Sequence, residues 1–235
     1  MPHTIHTLSI IFNLRLNQND LEAFRGAVIA VADKSNELFH NHNNQEDEGE
    51  ANKFHYRYPL IHYRIQNHSA SLFGINEGAV AIDKLLRSKA FKDFKINGRP
   101  VQLNLVERQE NSSFALSLNA KKQQYTYRIY NYLPLTPDNY HQYKALPNFI
   151  QKVEFIEKLL ANHLVAFAHG VNWEFPKNRR LEVCIQDIDR IKKTGVLGVQ
   201  MMAFDLVFSS NALLPDRLGI GRKAAFGFGW IYRLE

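Results

Sequence analysis

Two blocks of the 235-residue chain show similar successions of strand-type and helix-type hydrophobic patterns. The first block has the order strand, helix, strand, strand, helix, strand, which is that of a ferredoxin-like βαββαβ unit. The second block has the order strand, helix, strand, strand, strand, and a loop at residues 211–227 takes the place of its last helix. We therefore predict an α+β chain of tandem ferredoxin-like domains, residues 1–121 and 122–235, the second with its last helix replaced by a Gly-rich loop.

The first block contains runs of β-branched and aromatic residues and two runs with helical apolar spacing. A capping box of Asn19 and Glu22 predicts the start of a helix that continues to about His40, followed by a polar, acidic loop. Asn76 is expected to cap the second helix. Strands are predicted at residues 4–16, 58–65, 70–74 and 101–106, with one more at 114–118.

The second block begins with a strongly β-prone run at residues 125–132 and continues with a helical pattern at 148–168. Two further strands are predicted at residues 181–191 and 196–208, and a last strand at 228–234. The residues between the paired strands, from Lys192 to Gly195, have the composition of a hairpin turn. This prediction places Lys192 and Lys193 at the tip of a hairpin.

The run from Leu218 to Trp230 combines four glycines, two cations and two phenylalanines. Glycine amides can approach a phosphate closely because no Cβ intervenes, and the neighbouring cations and rings add charge and stacking surface. The run indicates a loop that binds a polyanionic chain, RNA above all, although a tight turn before a last strand fits it equally well. The residues of the run that we assign to RNA binding are Gly219, Gly221, Arg222, Lys223, Phe226, Gly227 and Gly229.

The segment at residues 214–230 resembles the C-terminal glycine-rich loop of the repeat-associated (RAMP) RNA-binding superfamily of CRISPR systems. Within it, the resemblance is to the endoribonucleases that cut the CRISPR repeat transcript into guide RNAs. A second stretch, residues 58–64 with 70–78, resembles the N-terminal half of that group. The resemblance implies tandem ferredoxin-like domains and metal-independent cleavage of the precursor RNA, by attack of a 2′-hydroxyl on the adjacent phosphate. It implies no cofactor.

Such cleavage needs a base for the 2′-hydroxyl proton, a cation near the phosphate and an acid for the leaving 5′-oxygen. Histidine suits proton transfer because its pKa lies near neutrality. In the group that the chain resembles, a histidine near the end of the first helix or in the loop beyond it often serves as base, which implies His42 first and His40 second. Lys53 and Tyr56 follow and could contact the phosphate and orient the 2′-hydroxyl. An ordinary role in a loop or at a helix end stays open for each.

The net charge of +6 and the pI of about 9.3 favour an anionic partner. Basic residues at several places could form a face for the RNA backbone, although any one of them is also compatible with a solubilising role. Outside the Gly-rich run, the basic residues that we assign to RNA binding are Arg179, Arg180, Lys192 and Lys193.

Cys184 is the one cysteine, which excludes an intrachain disulfide framework and fits a reducing cytoplasm. Its strand-like apolar run predicts a buried, inert thiol. No apolar run approaches the length of a membrane span. His40, His42 and His55 match no known metal-binding spacing, so no metal ion is expected.

Three classes of function remain open from the sequence. The first is a cytoplasmic endoribonuclease acting on CRISPR repeat RNA, which could work as a homodimer or with a CRISPR effector complex. The second is a non-catalytic RNA-binding member of the same superfamily. The third is a structural ferredoxin-like protein with no nucleic-acid partner, because this fold carries many unrelated functions.

Overall fold

The fold is taken from a computed structural model that describes residues 3–32, 37–40, 58–88, 90–120, 124–196 and 198–234. The chain divides into two compact units. The first unit consists of Ile5–Phe114 and Ala225–Gly227, and the second consists of Met1–Thr4, Ala115–Ala224 and Phe228–Glu235. The domain boundary between residues 121 and 122 stays a prediction.

The first half of the chain supplies four strands of the first sheet and the helices that cover it. The elements are β1 (His3–Arg15), α1 (Leu21–Val31), α2 (Glu37–His40), β2 (Ile61–Gln66), β3 (Ser69–Ile75), α3 (Glu77–Arg87), β4 (Lys95–Ile96), β5 (Arg99–Pro100) and β6 (Leu105–Leu118). The four strands of the sheet have the order β6-β1-β3-β2, which is the order of a ferredoxin-like unit.

Aromatic rings form the centre of the first unit's core. Phe24 of α1 packs edge-on against Phe12 of β1 and Tyr63 of β2, with ring centroids 6.2 and 6.3 Å apart. The Tyr63 hydroxyl donates a hydrogen bond of 3.1 Å to the carbonyl oxygen of Phe39, which is itself buried. This bond attaches the short helix α2, and with it the backbone of His40, to the central sheet.

Three expectations for the first half are wrong in detail. The capping box is formed by Asn17 and Asp20, whose carboxylate accepts a 2.9 Å hydrogen bond from the Asn17 amide. Helix α1 ends at Val31, and Glu37–His40 forms a separate short helix. Asn76 does precede α3, but its backbone is left-handed (φ +49°) and its side chain accepts from the His6 amide instead of a helix amide.

The two strands predicted at residues 101–106 and 114–118 are one continuous strand, β6, and residues 101–104 lie outside it. The first nine residues of β6, Leu105–Ser113, are all exposed, and all of them after Val106 are polar. A strand exposed on both faces shows no alternation of apolar and polar residues, so hydrophobic periodicity could not detect it.

The second half of the chain builds a second sheet. The elements are β7 (Tyr125–Tyr132), α4 (Pro137–Ala145), α5 (Phe149–Gly170), β8 (Val183–Val196), β9 (Val199–Ser210), β10 (Ala212–Leu213) and β11 (Trp230–Leu234). The second sheet has the strand order β11-β7-β9-β8, again that of a ferredoxin-like unit. Strand β10 instead pairs with Ser117 and Leu118 of β6 and is the edge strand of the first sheet. The α+β fold class of two ferredoxin-like units is confirmed.

The hairpin turn predicted between Lys192 and Gly195 is wrong. Strand β8 continues to Val196 and pairs there with Val199, so the turn includes Gly198, which has a φ of +77°. A second difference is helix α4, which the sequence analysis did not predict. It begins after Thr136, whose hydroxyl accepts a 3.1 Å hydrogen bond from the Asn139 amide.

The prediction of a buried Cys184 is also wrong, because its side chain is exposed on β8. The pKa of the Cys184 thiol is raised by partial desolvation and by the nearby Glu157 carboxylate. A thiol with a raised pKa is a poor nucleophile near neutral pH, so the exposure does not make it reactive. Among the helices of the described residues, none is long and apolar enough to cross a membrane.

Candidate functional site

The Gly-rich loop comprises residues 218–230. Its two ends are joined by backbone hydrogen bonds within the second unit. The Ile220 amide donates to the Gly229 carbonyl oxygen at 2.7 Å, and the Ile231 amide donates to that of Leu218 at 2.9 Å. Gly229 has a φ of +67°, and a Cβ there would lie 1.8 Å from the Ile220 carbonyl oxygen. Gly219 and Gly229 are both buried. The lack of a Cβ at Gly229 therefore lets the two ends of the loop meet.

The next part of the loop packs on the end of β7. Gly221 has a φ of +91°, and a Cβ on it would lie 2.6 Å from the ring of Tyr132. The Arg222 amide donates to the Leu133 carbonyl oxygen at 3.2 Å, and its guanidinium donates to the carbonyl oxygen of Leu135. The guanidinium of a half-buried Arg222 is thereby held in place before any ligand binds.

A partly buried hydrogen bond between Tyr132 and His163 lies beside this arginine. Burial raises the pKa of Tyr132, so its hydroxyl keeps its proton, and the hydroxyl oxygen lies 2.7 Å from His163 Nδ1. Desolvation, with a smaller contribution from the Arg222 charge, lowers the pKa of His163 to about 4. His163 is therefore a neutral imidazole near pH 7. Sequence reasoning missed it because a single histidine within a helix carries no pattern.

The tip of the loop, Ala225–Gly227, belongs to the first unit. There the Arg25 guanidinium of α1 lies 4.8 Å from the ring centroid of Phe226 and 5.8 Å from that of Tyr63. Gly227 has a φ of +75°, and a Cβ on it would lie 2.9 Å from the Tyr63 carbonyl oxygen. Desolvation lowers the pKa of Arg25, as expected for a cation placed between rings. These contacts fix the tip against α1 and β2.

His62 and Arg64 form a buried pair on β2. His62 Nε2 donates to the Pro59 carbonyl oxygen at 2.9 Å, so its Nδ1 accepts the 2.8 Å hydrogen bond from Arg64 Nη2. Desolvation, reinforced by the Arg64 charge, holds the pKa of His62 well below its ordinary value. Both side chains contact the Phe73 ring and are almost completely buried. We assign His62 a structural role.

The predicted catalytic residues lie largely outside the described part of the chain. His40 is the last residue of α2, and its side chain is outside the described atoms. His42, Lys53 and Tyr56 are outside the described residues altogether. Their assignment as catalytic residues stays a prediction. Within the described ranges, no three His, Cys, Asp or Glu side chains form a group that could hold a metal ion.

The basic residues predicted outside the loop are spread over two segments of the second unit. Lys192 and Lys193 lie on β8, in register with Ala203 and Met202, and Lys192 Nζ donates to Asp205 Oδ2 at 3.0 Å. Arg179 and Arg180 are exposed in the segment before β8, and the Arg179 guanidinium donates to the Leu118 carbonyl oxygen. The two lysines are therefore part of a strand pair and not of its turn.

Comparison with known proteins gives one family over nearly the whole chain. The family model for the Cas6b N-terminal domain matches residues 3–113, and that for the Cas6b C-terminal domain matches residues 119–234. No curated protein matches the chain.

Solved structures are similar to the chain over almost its full length. A crystal structure of Cas6b has a TM-score of 0.78 and 21% identity, covering 99% of this chain and 100% of the other. A crystal structure of the CRISPR RNA processing endoribonuclease Cas6b has a TM-score of 0.69 and 20% identity at the same coverage. Csf5, a CRISPR-Cas type IV Cas6 crRNA endonuclease, has a TM-score of 0.61 and 13% identity, again at the same coverage. At these identities the similarity is one of fold.

Proposed function

Because the chain belongs to the Cas6b family, we propose that it is an endoribonuclease that cuts CRISPR repeat RNA into guide RNAs. The observation that carries this proposal is the match of both Cas6b domains, in order, to the two halves of the chain. Two structures of similar fold are those of a CRISPR RNA processing endoribonuclease and of a crRNA endonuclease. We assign the same reaction to this chain.

The reaction that we propose uses the RNA's own 2′-hydroxyl and no metal ion. A base removes the 2′-hydroxyl proton, the oxygen forms a bond to the adjacent phosphorus, and the bond from phosphorus to the 5′-oxygen breaks. An acid then protonates the leaving 5′-oxygen. The products are a 2′,3′-cyclic phosphate and a 5′-hydroxyl. We assign the base to His42, or else to His40, and each proton transfer of this kind contributes roughly 10²–10⁴-fold to the rate.

Lys53 and Tyr56 complete the proposed catalytic set. A lysine near the scissile phosphate would offset the negative charge that develops during attack. A tyrosine hydroxyl would hold the 2′-hydroxyl in line with the phosphorus. Neither role requires the side chain to change its protonation state.

The Gly-rich loop supports the RNA-binding part of the proposal. Arg222, Lys223 and Phe226 are each half-exposed, so two cations and one ring of the loop remain partly accessible. Phosphate contacts from such cations bind and orient the strand without reading its sequence. Gly221 and Gly227 are half-exposed as well, whereas Gly219 and Gly229 would act on RNA through the shape of the loop.

Purified protein incubated with labelled repeat RNA in EDTA tests the proposed reaction. We expect cleavage that yields a cyclic phosphate. We expect no cleavage of a strand of the same sequence with a 2′-deoxyribose backbone, because it lacks the attacking 2′-hydroxyl. Intact RNA over several repeat sequences would contradict the function. RNA that is bound but not cut would instead identify a non-catalytic RNA-binding protein.

His42→Ala is expected to abolish cutting while RNA affinity changes little, because it removes the proposed base and leaves every lysine and arginine in place. His141→Ala provides the matched control, since His141 is an exposed histidine of α4. Full cutting in both His42→Ala and His40→Ala would show that the base is assigned to the wrong residues.

We propose in addition that the protein works in the cytoplasm, as a homodimer or with a CRISPR effector complex. Light scattering of the protein alone and of the protein mixed with effector proteins tests the homodimer and the effector complex. Fractionation of cells tests the cytoplasmic location.

A further inference from the structure

Three aromatic side chains meet on the edge of the second unit's sheet. Tyr130 of β7 and Trp230 of β11 are partners in the antiparallel register, and Tyr232 lies two residues further along β11. Their ring centroids are 5.2 Å apart for Trp230 and Tyr232, and 6.1 and 6.3 Å for Tyr130 with each of them. The three rings, which we call the aromatic platform, therefore share one face of the sheet.

That face is the one turned away from the core of the second unit. Ile129 and Ile231 alternate with the platform residues along their strands, and both are completely buried. Successive side chains of a strand point to opposite faces, so the platform lies opposite this core. Tyr130, Trp230 and Tyr232 each retain part of their surface exposed to solvent. The three rings therefore form a cluster of partly exposed aromatic surface on this face.

The platform continues directly from the Gly-rich loop. Trp230 follows Gly229 in the chain, and it pairs with Gly219 through an antiparallel bridge. The Gly229 amide donates to the Tyr130 carbonyl oxygen at 3.0 Å. An RNA strand that follows the loop in the direction of β11 would therefore reach the rings next.

The charge beside the platform favours bases over phosphates as its ligand. Arg128 is in register with Tyr232, and its Nε lies 3.4 Å from the Asp189 carboxylate. Because the carboxylate offsets the cation, this part of the face attracts a phosphate weakly. What remains is aromatic surface, which binds the flat face of any unpaired base.

We propose that Tyr130, Trp230 and Tyr232 form a stacking site for unpaired bases of an RNA strand whose backbone is bound by the Gly-rich loop. The inference rests on the proposed function and adds a second subsite to it. Aromatic side chains on a four-stranded sheet are a general means of binding single-stranded RNA, with two or three bases stacked on them. The site tolerates any base sequence, because every base has a flat face.

The fluorescence of Trp230 tests this site directly. The chain has two tryptophans, and Trp173→Phe leaves Trp230 as the only one. We expect an oligouridine to quench the emission of Trp230. The Kd from this quenching should equal the Kd measured by fluorescence anisotropy of the labelled RNA. An abasic oligonucleotide of equal length should bind more weakly and should not quench. Unchanged Trp230 emission on RNA binding, or no binding of the oligouridine, would overturn the proposal.

Ring removal gives a second, independent measurement. Tyr130→Leu and Tyr232→Leu should each raise the Kd for oligouridine by about 5- to 100-fold. The slope of log Kd against log salt should stay as in the wild type, because no phosphate contact is lost. Tyr140→Leu is the matched control, since Tyr140 is a half-exposed tyrosine of α4. An unchanged Kd, or a reduced salt slope, in the two platform variants would contradict a stacking site.

The two proposals fail in different ways. Cutting of repeat RNA with no response from Trp230 would overturn the platform alone. Quenching of Trp230 by RNA that stays uncut would overturn the proposed cleavage and leave the platform standing. If a leucine variant loses its cooperative thermal unfolding, the Trp230 measurement on the Trp173→Phe protein decides the question.

Discussion

The Arg25 guanidinium lies 4.8 Å from the ring centroid of Phe226, so a helix near the start of the chain holds the tip of a loop near its end. Tyr63 is the second ring near this cation, at 5.8 Å. A cation over an aromatic ring contributes about 0.5–1 kcal/mol when exposed and about 2 kcal/mol when desolvated. Arg25 is half-buried, which places the contact between these limits.

We expect Arg25 and Phe226 to be energetically coupled. In a double-mutant cycle of Arg25→Met and Phe226→Leu, the free energies of unfolding should give a coupling of about 1 kcal/mol. Both substitutions keep apolar bulk, so the cycle isolates the interaction of the cation with the ring. Urea unfolding of the four proteins measures the coupling. Additive effects of the two substitutions, within about 0.3 kcal/mol, would contradict it.

Two glycine-to-alanine substitutions should have opposite effects on stability. Gly229→Ala should lower the free energy of unfolding by at least about 1–2 kcal/mol, because the left-handed backbone disfavours a Cβ and the new methyl group meets the Ile220 carbonyl oxygen. Gly26→Ala is the matched control in α1, where a Cβ meets nothing within 4 Å. It should raise stability by about 0.5–1 kcal/mol. Thermal unfolding of both variants checks the prediction. A Gly229→Ala protein as stable as the wild type would contradict the close contact between the two ends of the loop.

Lys223→Gly should separate RNA binding from stability. Lys223 has a φ of +59°, a conformation that costs a residue with a Cβ about 1–2 kcal/mol and that glycine adopts freely. We expect the variant to unfold within about 1 kcal/mol of the wild type, because relief of strain offsets the lost side-chain contacts. Its RNA affinity should fall, with a salt slope lower by about 0.7, because one phosphate contact is lost. Lys144→Ala in α4 is the control, and an unchanged slope in Lys223→Gly would remove Lys223 from the RNA site.

Acid should destabilise the protein through His163. An unfolded histidine binds its proton near pH 6.5, whereas the pKa of His163 in the folded protein is about 4. Between these values the unfolded state holds the extra proton, so the free energy of unfolding falls by up to about 1.4 kcal/mol for each unit that the pH falls. The effect is absent above pH 6.5 and complete below about pH 4.

His163→Asn removes this titration and keeps a hydrogen-bonding group beside the Tyr132 hydroxyl. Its free energy of unfolding should therefore fall less steeply than that of the wild type as the pH falls from 6.5 to 4. The difference between the two slopes should correspond to the uptake of one proton. His62 has the same direction of shift and stays in both proteins, so it does not affect the difference. Urea unfolding at three pH values in this window provides the measurement. Equal slopes in both proteins would mean that His163 is already protonated in the fold.

Hydrophobic patterns were sufficient to predict the elements that have one buried side. Strand β7 and helix α5 have their predicted positions to within two residues, because Tyr127, Ile129, Leu160 and Leu164 alternate or repeat toward a core. The RAMP-family resemblance drawn from two short segments is confirmed by the family match over both halves. The local composition gave a wrong prediction where strand pairing sets the position of the turn. Gly195 lies in a segment with the composition of a turn, but it is part of the β8–β9 strand pair.

The contacts that shape the candidate site could not be predicted from the sequence. No periodicity connects Arg25 with Phe226 or His163 with Tyr132, because each pair is brought together only by the complete fold. The sequence shows that the loop is rich in glycine, but the separate structural roles of these glycines depend on neighbours that composition does not reveal. Gly229 faces the Ile220 carbonyl oxygen, whereas Gly221 faces a tyrosine ring.

The closed ends of the Gly-rich loop have a consequence for how such a protein can change over generations. Buried Gly219, Ile220 and Gly229 lie at the ends of the loop, which backbone hydrogen bonds hold together, and half-exposed Arg222 and Lys223 lie between these ends. The hydrogen bonds that close the loop involve neither cationic side chain. Duplicated copies of the gene can therefore vary at these two positions, and so in the strength of an electrostatic contact, while the closure itself is kept.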